Sequence, residues 1–226
     1  MLQSKPTYCP SIIGNRSPSQ LKTVLFIFRV LTLIELSLQT NSYLQILAKT
    51  ILRLVSWKLE VTLPPDPKFV LVGAPHTSTL DLFYTLLMTH ATGIQLHWIG
   101  KDSLFRWPLG GLMRWLGGIP VNRRSSNNFV QQIVDLYNQS ERLIIAIAPE
   151  GTRGKADYWK TGFYYIALGA GVPIALGFID YHERVVGIGP CLYPTGDIQT
   201  DFVKLNEFYS NVTGRHPEKQ GEVRIK

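Results

Sequence analysis

Residues 68–83 read "KFVLVGAPHTSTLDLF", and this stretch decides the fold. Lys68 to Ala74 reads as a strand whose residues from Phe69 on are continuously apolar rather than alternating, the pattern of a strand covered on both faces. Apolar residues at helical spacing follow from 79 to 90. Between them lies a short polar loop with a proline, which cannot continue either element. A buried strand passing directly into a helix is the repeating unit of α/β folds.

Working outward, the same alternation recurs. "LHWIG" (96–100) reads as a strand, 102–116 as a helix, "GIPV" (118–121) as a short extended segment and 126–139 as a helix. "RLIIAIA" (142–148) reads as a strand and 160–170 as a helix. "VPIALGFI" (172–179) and "RVVGIG" (184–189) read as strands, and 197–211 as a helix. The prediction is an α/β domain over 59–226, with a mostly parallel central sheet covered by helices. No internal repeat or low-complexity tract interrupts it. In such sheets ligands gather beyond the carboxyl ends of the strands. The loops after Ala74, Gly100 and Ala148 are therefore the ones to examine.

The first of these loops carries His76 and, five residues on, Asp81. Five His and eight Asp in 226 residues give an H-x-x-x-x-D by chance about one time in five. Two readings stand side by side. Ser78 to Asp81 has capping-box spacing, with Ser78 as N-cap, Asp81 reaching back to its amide, and Leu80, Leu82, Phe83, Leu86 and Leu87 as the buried helix face. Alternatively His76, held outside the helix by Pro75, folds back onto Asp81. The carboxylate then fixes one ring nitrogen and leaves the other as a base. Both ride on the same geometry.

The third loop reads "PEGTRGK" (149–155). Gly151 and Gly154 permit close backbone approach to a ligand, Arg153 offers a planar fork suited to phosphate, and Glu150 could orient it. It lacks the spacing of a nucleotide-binding P-loop; a charged surface turn is the plain alternative. Upstream, "GKDSLFRWPLGGLMRWLGGIPVNRR" (100–124) sets Lys101, Arg106, Arg114, Arg123 and Arg124 among Phe105, Trp107 and Trp115. Charge beside aromatic and glycine-rich surface suggests a groove for an anionic amphiphile.

The charge of +7 is unevenly placed. Residues 1–58 hold seven Lys/Arg and a single acid, Glu35, whereas 59–226 are nearly balanced. Residues 1–20 lack periodicity and read as loose. Residues 21–58 are basic and apolar at helical spacing, which suits a helical segment lying on an anionic membrane surface. The apolar stretch 21–38 is short for a span and is broken by Arg29 and Glu35. No small-residue cleavage site follows it, so a signal peptide fits poorly. A helical pair packed on the core is the alternative. No nucleic-acid module accompanies the basic segment, so nucleic acid is not expected as a partner. Cys9 and Cys191 have no metal or disulfide spacing, as in a reducing compartment.

Taken in order, "PHTSTLD", "GGIPVNR", "PEGTR" and "VPI" resemble the four motif blocks of the 1-acylglycerol-3-phosphate acyltransferase family, whose first block is H-x-x-x-x-D. The resemblance covers roughly Trp57 to Phe178. It implies His76 as the base that deprotonates an acceptor hydroxyl and Asp81 as the residue that orients it. It implies Arg123, Glu150, Gly151, Thr152 and Arg153 as the site for the acceptor's phosphate. Val172, Pro173 and Ile174 would pack against the acyl-binding region. It further implies an acyl-CoA or acyl carrier protein donor, a lysophospholipid acceptor, and association with the cytoplasmic face of a membrane. Pro75 stands where many members have Asn, Val121 and Asn122 precede Arg123 where an acid is common, and Ala148 replaces a frequent Phe. These departures leave the base intact and bear on the acceptor.

A thioester is already activated, so no protein nucleophile is needed, and no G-x-S-x-G nucleophile elbow is present; no metal or resident cofactor is expected. Backbone amides near Ser78 would suit the oxyanion. Two rival readings use the same residues: an acyl-thioester hydrolase in which His76 activates water, and a non-catalytic lipid-binding protein on this fold.

Overall fold

Apolar runs become strands where a second strand can take their backbone hydrogen bonds, and that partner is a tertiary matter. The computed structural model describes residues 42–108, 110–115, 117–121 and 126–226. The chain divides into two units, Met1–Tyr43 and Leu44–Lys226. The expected loose stretch 1–20, and the part of the helical segment before residue 42, lie outside the described residues.

Helix α1 covers 42–54, and β1 (Lys58–Val61) already begins where the helical segment was expected to end. There follow β2 (Lys68–Gly73), α2 (Leu80–Thr92), β3 (His97–Lys101), α3 (Gly110–Trp115), β4 (Gly118–Val121), α4 (Ser126–Gln139) and β5 (Leu143–Ile147). Then come α5 (Gly162–Ala170), β6 (Ile174–Asp180), β7 (Val185–Leu192) and α6 (Ile198–Tyr209). The seven strands form one sheet in the order β1-β7-β6-β2-β5-β3-β4. All neighbours are parallel except β6 and β7, which form an antiparallel hairpin. β2 sits near the middle, between β5 and β6.

Alternate residues of β2 serve opposite faces, as pleating requires. Val70 and Val72 join Ile133, Tyr137, Phe163, Ile166 and Leu205 from α4, α5 and α6. Phe69 and Leu71 join Ala48 and Leu52 of α1 and Leu87, Met88 and Ala91 of α2. The sheet is therefore covered on both faces, as its continuous apolar strands predicted. Residues 63–67, "LPPDP", form no regular element.

Two expectations are corrected. The helix expected over 102–116 is broken into a 3₁₀ turn, Asp102–Phe105, and the short α3. Pro108 lacks the N–H an unbroken helix needs, and Arg114 instead donates to the carbonyls of Phe105 and Gly110, at 3.4 Å each. The other correction concerns α2. Of its expected buried face only Leu87 is buried, while Leu80, Leu82, Phe83 and Leu86 are exposed, Leu82 by 62% and Phe83 by 45%. The helix is apolar almost all round, so periodicity could not tell which side the sheet would take. Among the described residues no helix is long and apolar enough to cross a membrane.

Candidate active site

The turn from β2 into α2 sets both members of the first pair. Asp81 lies in the first turn of α2 and is buried, its side chain 5% exposed against 32% for His76. Asp81 Oδ2 accepts the backbone N–H of Thr77 at 3.0 Å and of Ser78 at 2.9 Å, and lies 3.0 Å from His76 Nδ1. The two sequence readings are thus not rivals: the reach back to the Ser78 amide and the histidine contact use one oxygen. The helix cap itself moves by one residue, since Thr79 is the N-cap and makes no side-chain capping bond. Ser78 Oγ accepts from Leu80 N at 3.2 Å.

The other carboxylate oxygen, Oδ1, accepts the hydroxyl of Tyr181 at 2.8 Å. Burial by itself would raise the pKa of Asp81. The hydrogen bonds from His76, the Ser78 amide and Tyr181 outweigh it and hold the carboxyl below its ordinary value. An ionised Asp81 can only accept, so His76 donates through Nδ1–H, and in the neutral imidazole this leaves Nε2 as the acceptor.

"PEGTR" forms a tight turn after β5. Gly151 N donates to Ala148 O at 3.1 Å, with Gly151 at φ +66°. A Cβ there would strike the Lys160 side chain, which lies across the turn. Glu150 is buried, and its Oε2 accepts the backbone N–H of His76 at 2.8 Å. Burial pushes its carboxyl pKa up, against that hydrogen bond. Glu150 thus braces the histidine loop, and among the described residues it forms no ion pair with Arg153. Thr152 and Arg153 are exposed; Thr152 Oγ1 accepts Gly154 N at 3.1 Å. Arg123 lies outside the described residues.

A cavity of about 380 Å³ opens beside these groups, bounded by α2 and the sheet. His76 and Arg153 form part of its wall, and Leu71, Met88, Ile147 and Val186 make much of the rest apolar. Val172, Pro173 and Ile174 are not in that wall. Ile174 begins β6 and Val172 and Pro173 precede it, so they lie at the end of the sheet away from the His76 loop, and Val172 and Ile174 pack into the core under α4–α6. β6 instead reaches the cavity through Gly177, Phe178 and Ile179.

Two further contacts define the site. The C-terminal segment rests on the histidine loop: His216 N donates to Thr77 Oγ1 at 3.2 Å, and Gly214 fits against Pro75 and Thr77. The amides of Thr77 and Ser78 are already engaged by Asp81, so they are not available to an oxyanion, contrary to the sequence expectation. Among the described residues no cluster of three or more His, Cys, Asp or Glu side chains could hold a metal ion. Sequence reasoning missed Tyr181 and Lys160. Neither belongs to a motif, and only the folded chain brings them to the loops that do.

A family model described as "Acyltransferase" matches residues 55–175. Comparison with curated proteins found no match. Among solved structures, the 1-acyl-sn-glycerophosphate (LPA) acyltransferase from Thermotoga maritima aligns over 74% of this chain and 75% of its own. Its sequence identity is 19% and the TM-score 0.49.

Proposed function

Because this chain belongs to the acyltransferase family, we propose that it moves a fatty acyl group from an acyl thioester, acyl-CoA or acyl carrier protein, to a lysophospholipid hydroxyl. The acceptor best suited to the site is 1-acyl-sn-glycerol 3-phosphate, giving phosphatidic acid. One observation carries the reading: His76, held by Asp81 at 3.0 Å, forms part of the wall of an apolar cavity that also includes Arg153.

The chemistry is direct. Nε2 of His76 takes the proton of the acceptor hydroxyl as its oxygen attacks the thioester carbonyl carbon. The C–O bond forms, the C–S bond breaks, and the thiolate leaves with the proton returned by the imidazolium. Asp81 stabilises that imidazolium by its charge, and a positioned base of this kind contributes about 10²–10⁴-fold. At about 380 Å³ the cavity has more than twice the ~150 Å³ that holds a benzene, room suited to an acyl chain. Arg153 makes no ion pair among the described residues, leaving its planar fork for a phosphate.

A membrane surface would deliver such substrates. The exposed Leu80, Phe83 and Leu86 of α2 support that reading, together with the exposed Ile46 and Leu47 of α1 beside Lys49 and Arg53. The absence of metal or disulfide spacing among the cysteines suits its cytoplasmic face. The test is incubation with a radiolabelled acyl thioester and a panel of lysophosphatidic acid, other lysophospholipids and glycerol 3-phosphate. Label should enter lysophosphatidic acid preferentially. Label recovered solely as free fatty acid would make the protein a thioesterase, and no turnover with any acceptor would favour a lipid-binding role.

A further inference from the structure

Asp81 has two oxygens, and the His76 partnership uses one of them. The other is held by a residue from a distant part of the chain, the Tyr181 hydroxyl at 2.8 Å. We propose that Tyr181 is a positioning residue for the reaction, acting through Asp81 to fix the plane and the charge of the carboxylate that orients His76. The inference rests on the reading of His76 as the base.

The geometry makes this contact firm. Tyr181 follows β6 directly, and its N–H donates to Thr213 O at 2.9 Å. The chain turns beyond it because Asp180 Oδ1 accepts the N–H of His182 and of Glu183, at 2.9 and 3.0 Å. The ring meets Trp57 edge-on at 5.1 Å and Tyr84 at 5.8 Å, while Trp57 and Tyr84 stack at 3.8 Å. Two aromatic rings, Trp57 from the segment before β1 and Tyr84 from α2, thus hold the phenol against Asp81.

The phenol is suited to donate. Burial raises its pKa, and the hydrogen bond to the Asp81 carboxylate raises it further, so it stays protonated. Its O–H satisfies Oδ1, which leaves Oδ2 to the Thr77 and Ser78 amides and to His76. Without it, a buried carboxylate oxygen loses its donor, and the carboxylate becomes more basic and freer to turn. The other charged groups acting here are Glu150, bonded to the His76 amide, and Arg215, within electrostatic reach of Tyr181 and Tyr84. Arg184 acts on Tyr84, and Arg153 stands in the cavity wall. The substitution below leaves all four in place.

Tyr181→Phe keeps the ring and removes the hydrogen bond. We expect kcat to fall about tenfold, the scale of a lost hydrogen bond to a charged group, with the acceptor KM unchanged within about twofold. In a ¹³C-NMR pH titration the Asp81 carboxyl should titrate at higher pH than in the wild type. Tyr181→Phe combined with Asp81→Asn should be no slower than Asp81→Asn alone, because the effect runs through Asp81. Trp57→Phe disturbs the same rings without touching the hydrogen bond and should leave the Asp81 titration in place. Wild-type kcat with an unmoved titration would overturn the proposal, as would an additive double variant. His76→Ala separates the two readings. Full turnover there refutes His76 as the base whatever Tyr181 does, whereas an inactive His76→Ala beside an unaffected Tyr181→Phe refutes only the role of Tyr181.

Discussion

The backbone N–H of His76 donates to the Glu150 carboxylate at 2.8 Å, tying the first motif loop to the third across a sequence separation of 74 residues. Because the contact is made to the backbone, it fixes where the histidine starts, independent of its ring. Gln at this position keeps an acceptor and loses the charge. Glu150→Gln should therefore retain most activity and stability. Glu150→Ala leaves a buried N–H without a partner, at a cost of about 1–3 kcal/mol, and should depress both. Thermal melts and turnover of the two variants check this; equal loss in both would make the charge itself the requirement.

Asp81→Asn should preserve the fold and stop the chemistry. The Asn carbonyl can take the Oδ2 position and still accept the Thr77 and Ser78 amides and the His76 Nδ1–H. It cannot supply the negative charge that steadies an imidazolium. We expect kcat to fall about 10²–10⁴-fold with lysolipid KM little changed, while the melting temperature at neutral pH falls modestly, because the ionised carboxylate with its lowered pKa contributes to stability there. His76→Ala should be as inactive, and the double variant scarcely worse than either. Near-normal turnover with a lowered Tm would instead leave Asp81 as a helix-start residue only.

Arg153→Lys tests the acceptor's phosphate. A point-charge ammonium cannot reproduce a bidentate fork, so the acceptor KM should rise about tenfold while the donor KM moves little. Steady-state kinetics with each substrate varied separately decide it. Equal damage to both would place Arg153 on the donor side or in the folding of the turn.

The exposed face of α2 should carry membrane binding. Phe83→Gln with Leu86→Gln removes apolar surface that the fold leaves in water. Vesicle cosedimentation should weaken several-fold with the melting temperature nearly unchanged. Deleting residues up to 58 is a poorer test, because Leu52 and Trp57 are buried in the core and their loss would unfold the sheet's α2 side. Unaltered binding of the double variant would refute the role of α2.

Asp201 sets an acid limit on stability. It is buried, and burial would raise its pKa. Its Oδ2 accepts Thr195 N at 2.7 Å, Tyr164 OH at 2.9 Å and Thr195 Oγ1 at 3.0 Å, and these hold the carboxyl below its ordinary value. A lowered folded pKa adds stability that is present above the ordinary carboxylate range and lost as the pH falls through the folded value. Asp81 has the same sign, whereas Glu150, with its raised value, has the opposite one. Asp201→Asn should lower the melting temperature at pH 7 and flatten its decline between pH 5 and about pH 3. An unchanged slope would show that Asp201 carries none of the acid sensitivity.

Much of this protein was legible in its sequence because the relevant signals are local. Apolar runs of strand length between helical stretches specify a two-faced parallel sheet wherever they occur, and β2, β5 and β6 follow them closely. His76 and Asp81 meet across a turn of five residues, one of the two arrangements their spacing allows. Other features depend on which strand lies beside which. The β6–β7 hairpin carries Tyr181 to Asp81 across 100 residues. The placement of β5 next to β2 turns Glu150 into a brace for His76. β6 runs parallel to β2, which puts the "VPI" block at the opposite end of the strand from the His76 loop. The sheet, not periodicity, chose which side of an almost uniformly apolar α2 to bury. Short-range patterns are set by backbone period and turn chemistry, whereas strand order is a property of the whole packed chain.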